Sequence, residues 1–323
     1  MLDSILGSLR VVALATKTDF RSVTSREVAL FEGPMGWGEF SPFLEYSYEE
    51  SVPWLLSGIE AAFVGAPSLS RDAIEVNATM PAIDNPVEIA EILSAFDGVT
   101  VVKIKVGGDI SADLARVTCV RELRPDSRIR IDVNGLWSVD EAKSFLDQVG
   151  EIEYVEQPCA TIEELRELKN RTNIKIAGDE VIRKAKDPLS VDLTGAIDVL
   201  MLKVAPLGGI ARAIKIANHH GLPVAVSSAL ESAVGIAHGL KLAAALSELN
   251  YACGLGTGAL LAVDVANLPI VNGLIEVKDV VPDSIALTKY AVSNERLNWW
   301  RNRIRKVWDT GAHTIIQERG WSP

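Results

Sequence analysis

The sequence predicts an α/β protein built on a parallel barrel, each strand followed by a helix, with a smaller module beside it. Three observations predict this. The stretch Val102-Lys103-Ile104-Lys105-Val106 alternates apolar and basic residues, so an extended chain puts Val102, Ile104 and Val106 on one side and both lysines on the other. Asp132, Glu156, Asp179 and Lys203 then each stand at or just past the end of another short apolar run, at steps of 27, 24, 23 and 24 residues from Lys105 onward. A strand, a helix and two short loops take about that length, and barrel enzymes carry their chemistry at the strand ends. Finally, 323 residues suit a barrel of roughly 250 residues plus one further module.

The first 72 residues lack the rhythm. Residues 9–16 and 27–31 read as strands, and 35–43 as a turn-rich segment with exposed-looking aromatics. Residues 48–63 carry Trp54, Leu55, Ile59 and Ala62 at helical spacing. The expectation is a three-stranded meander plus a helix, resembling a lid.

The strand-and-helix rhythm opens near residue 73, with strands expected over 74–78, 99–106, 128–132, 153–156, 174–179, 196–203 and 222–227, and a short last one over 251–255. Helices are expected over 113–123, 210–220 and 232–249, the second ended by Gly221, a good left-handed cap. Ser138 with Glu141 and Thr161 with Glu164 have capping-box spacing and should open two more, the first running to about residue 149. Beyond residue 261 the rhythm stops. Residues 274–288 read as a strand and loop. Residues 294–308 form a basic helix with Trp299, Trp300, Arg301, Arg303, Arg305, Lys306 and Trp308, whose tryptophans should pack on the lid or on a partner subunit.

Composition bounds the function. Hydrophobic residues at 48% and charged ones at 23% leave ample material for a large core. A net charge of -11 argues against a nucleic-acid partner, because phosphate backbones need clustered Lys and Arg. Three well-separated cysteines, Cys119, Cys159 and Cys253, fit a reducing compartment better than a disulfide framework. No signal peptide is read at the N-terminus and no apolar run reaches the roughly 18 residues of a membrane span, so the expected location is the cytoplasm.

The joint placement of the charged residues suggests a reaction class. Three carboxylates converging from consecutive strand ends offer only oxygen ligands, which suit Mg²⁺ better than Zn²⁺. Two lysines, Lys105 and Lys203, face each other across that point. A lysine acts as a base near neutral pH only if its pKa falls from about 10.4 toward 7 or 8. Nearby positive charge from Lys103, Arg130 and the metal would lower it. The expected reaction is removal of a proton alpha to a carboxylate, giving an enediolate whose charge the metal would stabilise.

Lys103-Ile104-Lys105, Asp132-Val133-Asn134, Glu156-Gln157-Pro158, Gly178-Asp179-Glu180 and Leu202-Lys203, with Gly208-Gly209 beyond, resemble in this order the signature of the enolase superfamily. Lysines on both the second and sixth strands are similar to its muconate lactonizing enzyme subgroup, and the resemblance covers essentially the whole chain. It implies a modified TIM barrel, (β/α)7β, over residues 73–261. It also implies an α+β capping domain built from residues 1–72 and completed by residues 262–323. Asp132, Glu156 and Asp179 are implied as Mg²⁺ ligands, Glu180 being the competing candidate beside Asp179, and Asn134 is implied near the metal.

Within the subgroup, the short length, the compact capping domain, Gly36-Trp37-Gly38-Glu39-Phe40-Ser41-Pro42 and Ser227-Ser228-Ala229-Leu230-Glu231-Ser232 resemble members that dehydrate a succinyl-bearing cyclohexadiene carboxylate to an aromatic product. That resemblance implies that Lys105 takes the alpha proton and returns it to the departing hydroxyl, while Lys203 stays charged on the opposite face. Ser227, Ser228 and the backbone of Gly254 and Gly256 are candidates to hold the succinyl tail, since glycine lets N–H groups approach an anion closely. Ser227 and Ser228 could instead cap the next helix, and Asn134 could be a turn residue only. The alternative activity is that of an N-acylamino acid racemase or dipeptide epimerase, because opposed lysines also suit two-base racemisation. A barrel without catalysis is the distant third. The four histidines lack His-Glu-x-x-His spacing, and neither a phosphate-binding Gly-x-x-x-x-Gly-Lys loop, a Rossmann glycine pattern nor a Gly-x-Ser-x-Gly elbow is present.

Overall fold

In the computed structural model, which describes residues 1–20 and 23–321, β1 (Arg10–Phe20) and β2 (Val23–Gly33) pair antiparallel with Arg10 opposite Leu30, and β3 (Gly36–Phe40) adds to β2. This is the expected meander, but its third strand lies in the segment that reads as turns. The glycines there serve close packing. A Cβ on Gly38 would sit 2.1 Å from the Gly58 carbonyl oxygen, so only a bare backbone lets β3 lie against the helix Tyr48–Ile59. The aromatics expected at the surface are turned inward: Phe40 and Phe43 are buried, Phe43 edge-on to Trp54 of that helix, and Trp37 is half-buried against the barrel core. Ser47 and Glu50 form a capping box at the start of the helix, and its last turn widens into a π-helical turn, Glu60–Val64.

The expected first barrel strand at 74–78 is divided in two. β4 (Ala73–Glu75) lies outside the ring, paired antiparallel with Leu274–Glu276. The parallel ring begins at β5 (Ala78–Met80) and continues through β6 (Val101–Lys105), β7 (Arg128–Asp132), β8 (Tyr154–Glu156), β9 (Ile176–Gly178), β10 (Val199–Lys203) and β11 (Val224–Ser227), each hydrogen-bonded to the next. Residues 251–255 fill the eighth place without forming a regular strand. Cys253 bridges Val76 and Gly254 bridges Ser227, both in parallel sense, which closes a (β/α)7β barrel. The partner of residues 73–75 is the last strand, β12 (Leu274–Glu276), two hundred residues away, so local alternation could not reveal the break.

Helices Ile110–Leu123, Val139–Leu146, Ile162–Lys169, Ile210–His220 and Ala233–Ala245 cover the ring. Both predicted capping boxes form, and Gly221 takes the left-handed conformation at φ 63°. The N-cap of Ala233–Ala245 is Ser232, so neither Ser227 nor Ser228 caps it. Outward-facing Val102, Ile104, Ile129, Ile131, Leu200 and Leu202 form the layer between ring and helices. A second core gathers Ile5, Phe31, Phe40, Trp54 and Leu55 with Trp300 and Ile304 of the C-terminal helix Asn294–Val307. Trp300 is fully buried, edge-on to Phe40 at 5.8 Å, and its indole N–H donates to the Glu27 carboxylate at 2.6 Å. The tryptophans of the basic helix thus turn toward the meander, with Trp299 left 39% exposed. The segment expected as strand and loop also holds a short helix, Ser284–Lys289. Among the described residues no helix is long and apolar enough to cross a membrane.

Candidate active site

Strand register alone assembles most of the site. Lys105, Asp132 and Glu156 are successive partners across β6, β7 and β8, so their side chains form one row at the C-terminal mouth of the barrel. One layer below, Lys103, Arg130 and Tyr154 form the next row. Asp179 follows β9 directly, and Lys203 ends β10 opposite Ser227. β6 and β10 are four places apart in an eight-membered ring, which sets Lys105 and Lys203 on opposing walls.

The charges are paired and almost dry. Lys103 Nζ lies 2.8 Å from Glu156 Oε2 and 3.1 Å from Asp132 Oδ2. Lys105 Nζ lies 2.5 Å from that same Asp132 oxygen, and Lys203 Nζ 2.5 Å from Asp179 Oδ2. Asp132, Glu156 and Asp179 have no exposed surface. Burying so many ions costs several kcal/mol each unless they compensate one another, and such cost is commonly borne for function. Burial pushes the Lys105 amine below its ordinary value, against the pull of Asp132, and Lys103 and Lys203 lower it further. Burial acts the same way on Lys103, but Glu156 and Asp132 together outweigh it and keep that amine charged. Asp132 is held well below the carboxylate range because three lysines overcome its burial, and Asp179 likewise by Arg183 and Lys203. Glu156 is pushed up by burial and by Asp132.

Three buried carboxylate oxygens here have no hydrogen-bond partner: Asp132 Oδ1, Glu156 Oε1 and Glu180 Oε2. Unpartnered acceptors in a dry acidic mouth are what a hard divalent cation completes, and the donor set is all oxygen. The residues therefore fit Mg²⁺. Among the described residues no cluster of three or more acidic, His or Cys side chains is arranged as a ready cage, since the lysines occupy the inner carboxylate oxygens. Both oxygens of Asp179 are engaged, by Lys203 Nζ and by Arg183 Nε at 3.1 Å.

Several further residues place this constellation. Gln157, at φ 41°, accepts from the N–H groups of Asp179 and Val181 and so sets the chain direction after β9. Asp113 accepts from the N–H groups of Gly107 and Gly108, and Arg116 donates to the Lys105 carbonyl at 2.8 Å; together they pin the loop after β6. Asn134 Oδ1 accepts from Lys105 Nζ at 2.8 Å while its Nδ2 donates to Glu180 Oε1 at 3.2 Å. Asn134 and Gln157 stand within the motifs read from the sequence, whereas no motif marks Asp113 and Arg116, which act on residues 105–108 just before them in the chain.

The remaining predicted residues take more varied places. Arg130 is bound to Glu153, Asn77 and the Ala252 carbonyl beneath the acidic row, and the second cation lowering Lys105 is Lys203. Ser228 Oγ donates to the Gly254 carbonyl at 2.6 Å and meets Thr257 Oγ1 at 2.8 Å. The Gly254 N–H is used in closing the ring, donating to Val226 at 2.8 Å. Gly256 opens a short 3-10 turn, Gly256–Leu260, and packs on Asn77 and Phe96. The capping segment reaches the loop 228–231 through buried Arg26, whose guanidinium donates to the carbonyls of Leu230 and Ser41.

The family model described as enolase C-terminal domain-like matches residues 88–282, and the enolase N-terminal domain-like model matches residues 11–62. The chain is 49% identical over 310 residues to the o-succinylbenzoate synthase of Mycolicibacterium smegmatis, covering 94% of this chain and 96% of that protein. It is 47% identical to the o-succinylbenzoate synthase of Mycobacterium tuberculosis, covering 94% of both. Its fold is similar to the crystal structure of muconate lactonizing enzyme from Pseudomonas fluorescens, with a TM-score of 0.75 at 19% identity over 88% of this chain and 98% of that one. It is also similar to dipeptide epimerase from Enterococcus faecalis, with a TM-score of 0.68 at 22% identity over 85% and 97%.

Proposed function

Since this chain belongs to the enolase superfamily, we propose that it works as an o-succinylbenzoate synthase of menaquinone biosynthesis, a hydro-lyase converting 2-succinyl-6-hydroxy-2,4-cyclohexadiene-1-carboxylate to 2-succinylbenzoate. The observation that carries the choice within the superfamily is the 49% identity to a synthase over nearly the full length of both chains. The division into a barrel over 73–261 and a capping domain over 1–72 and 262–323 is supported by the second core, which joins residues from both ends of the chain.

Asp132, Glu156 and Asp179 would hold Mg²⁺, with Glu180 as the alternative to Asp179. When bound, the cation would supply fixed positive charge to the carboxylate of the substrate. Lys105, whose burial favours the neutral amine, takes the proton from C1, and the electron pair passes into the carboxylate as an enediolate. Lys203, ion-paired with Asp179 on the opposing wall, offers its ammonium to that developing charge. Lys105 then returns its proton to the C6 hydroxyl on the same face. The C–O bond breaks with its electron pair leaving in water, the pair held in the enediolate returns to make the existing C1–C6 bond double and the ring aromatic, and Lys105 is neutral again. Aromatisation supplies much of the driving force, so modest acid–base assistance suffices. Lys103 pulls Asp132 and Glu156 toward their ionised forms from below and lowers its neighbour Lys105. Ser227, Ser228 and the chain at Gly254 and Gly256 would border the tail of the substrate, without the Gly254 N–H, which is bound to the Val226 carbonyl.

The test is turnover of the cyclohexadiene substrate by the Mg²⁺-supplemented protein, with N-succinyl amino acids in parallel. Dehydration to 2-succinylbenzoate is expected, and Lys105→Ala and Lys203→Ala should each lower the rate by about 10²–10⁴-fold. Racemisation of the amino acids with the cyclohexadiene left unchanged would overturn the proposal in favour of the racemase.

A further inference from the structure

Beside Lys105 a chain of polar side chains runs toward the capping domain, and its members Asn134, Arg183 and Tyr46 have no role in the reaction as written above. Glu180 Oε1 receives two donors, Asn134 Nδ2 at 3.2 Å and Arg183 Nη2 at 2.5 Å. The side chain of Arg183 is only 5% exposed and has two further partners, Asp179 Oδ1 at 3.1 Å and the Tyr46 hydroxyl at 3.1 Å. Tyr46 belongs to the capping segment and packs edge-on against Trp54 and Phe43. Asn134 completes the chain by presenting its Oδ1 to Lys105 Nζ.

We infer that Glu180 is a positioning residue for the proton-transferring amine: it fixes which end of the Asn134 amide faces Lys105, and Arg183 holds Glu180 in place. This rests on the assignment of Lys105 as base. An amide can present either its oxygen or its NH₂ to a neighbour, but an ionised carboxylate only accepts hydrogen bonds. With Glu180 on one side, Asn134 must turn its NH₂ there and its oxygen toward Lys105. The amine then has an acceptor aligned with it both before and after it gains a proton. Asn134 cannot relieve the constraint by shifting its backbone easily, since it sits at φ 56° in the small left-handed region. Arg183 gives Glu180 a single location, because its fork is already engaged by Asp179 and Tyr46. The competing role for Glu180 is that of a direct cation ligand through its unpartnered Oε2.

A double-mutant cycle on the Mg²⁺-loaded full chain separates these roles, with Glu180→Gln, Asn134→Ala and the double variant checked for wild-type-like thermal unfolding. Glu180→Gln is expected to lower kcat by about ten- to hundredfold with little change in KM, and the double variant should be no worse than Asn134→Ala alone. Calorimetric titration with MgCl₂ alone should leave the affinity of Glu180→Gln close to that of wild type and well above that of Asp179→Asn. Losses that multiply in the double variant, or Mg²⁺ binding lost as fully in Glu180→Gln as in Asp179→Asn, would overturn the inference. The acetylation rate of Lys105, read by mass spectrometry, runs the same cycle without turnover. Glu180→Gln should change that rate severalfold with Asn134 present and not without it, and no change in either background would also overturn it. Absence of turnover by the wild-type protein, with the labelling cycle intact, would instead fault the assigned reaction.

Discussion

Replacing Glu39 by Gln should remove a pH-dependent weakness at the junction of the meander and the barrel. Glu39 reaches from β3 to the start of the helix Ala233–Ala245, where it accepts from Ser232 Oγ at 2.6 Å and from the Gly235 N–H at 3.0 Å, with Ser41 Oγ at 2.5 Å on its other oxygen. Burial, reinforced by Glu231, pushes its carboxyl up to about 7, against the hydrogen bonds from Ser232 and Ser41 and the nearby Arg26. The unfolded chain therefore releases this proton near the ordinary value of 4.5, well before the folded protein does, and stability falls as pH rises between those two values. At 1.36 kcal/mol per unit the loss is about 3 kcal/mol, complete by pH 8. A Gln side chain can place its oxygen toward the Gly235 N–H and Ser232 Oγ and its NH₂ toward the rotatable Ser41 hydroxyl, giving up the long 3.3 Å bond from the Ser232 N–H, and it does not titrate. Urea unfolding of both proteins from pH 4.5 to 8 should show Glu39→Gln gaining about 3 kcal/mol relative to wild type across that range. A difference that stays constant with pH would refute the reasoning.

Other perturbations test other parts of the account. Lys103→Met takes the paired cation from buried Glu156, leaving Asp132 to Lys105 alone, and should cost the protein about 3–5 kcal/mol in EDTA, with added MgCl₂ recovering more stability than in wild type; equal stability of the two proteins in EDTA contradicts this. Trp300→Ala removes a fully buried side chain and its hydrogen bond to Glu27 and should cost about 3–5 kcal/mol in urea unfolding. A cost below about 1 kcal/mol would mean that the C-terminal helix is not part of that core. Gly254→Ala would put a Cβ 2.5 Å from Ser227 Oγ and should raise KM for the cyclohexadiene while Mg²⁺ affinity holds; an unchanged KM removes Ser227 from the tail site.

The barrel was legible because its chemistry repeats at the period of its architecture. Lys105, Asp132, Glu156, Asp179 and Lys203 each close an apolar run, and strand register turns that linear spacing into one ring of side chains. Capping boxes at Ser138 and Thr161 are local in sequence and form as expected. What escaped depends on distant partners. Residues 74–78 alternate like a single strand, yet β4 and β5 serve different sheets because β12 claims the first half. The glycines of β3 read as turn residues, although Gly38 is there to admit the carbonyl of Gly58. Arg183 and Tyr46 lie 137 residues apart, and no spacing rule joins them.

Lys105 and Lys203 face the substrate from opposite sides, Lys105 carrying the proton and Lys203 facing the enediolate. A crystal structure of the Mg²⁺ complex with 2-succinylbenzoate tests it most directly. The account predicts the aromatic ring between the two amines, with Lys105 Nζ about 3–3.5 Å from the former C1 or C6 on one face and Lys203 Nζ on the other. A ring bound with both lysines on one side, or with Lys105 still locked to Asp132 and out of reach of C1, would contradict it.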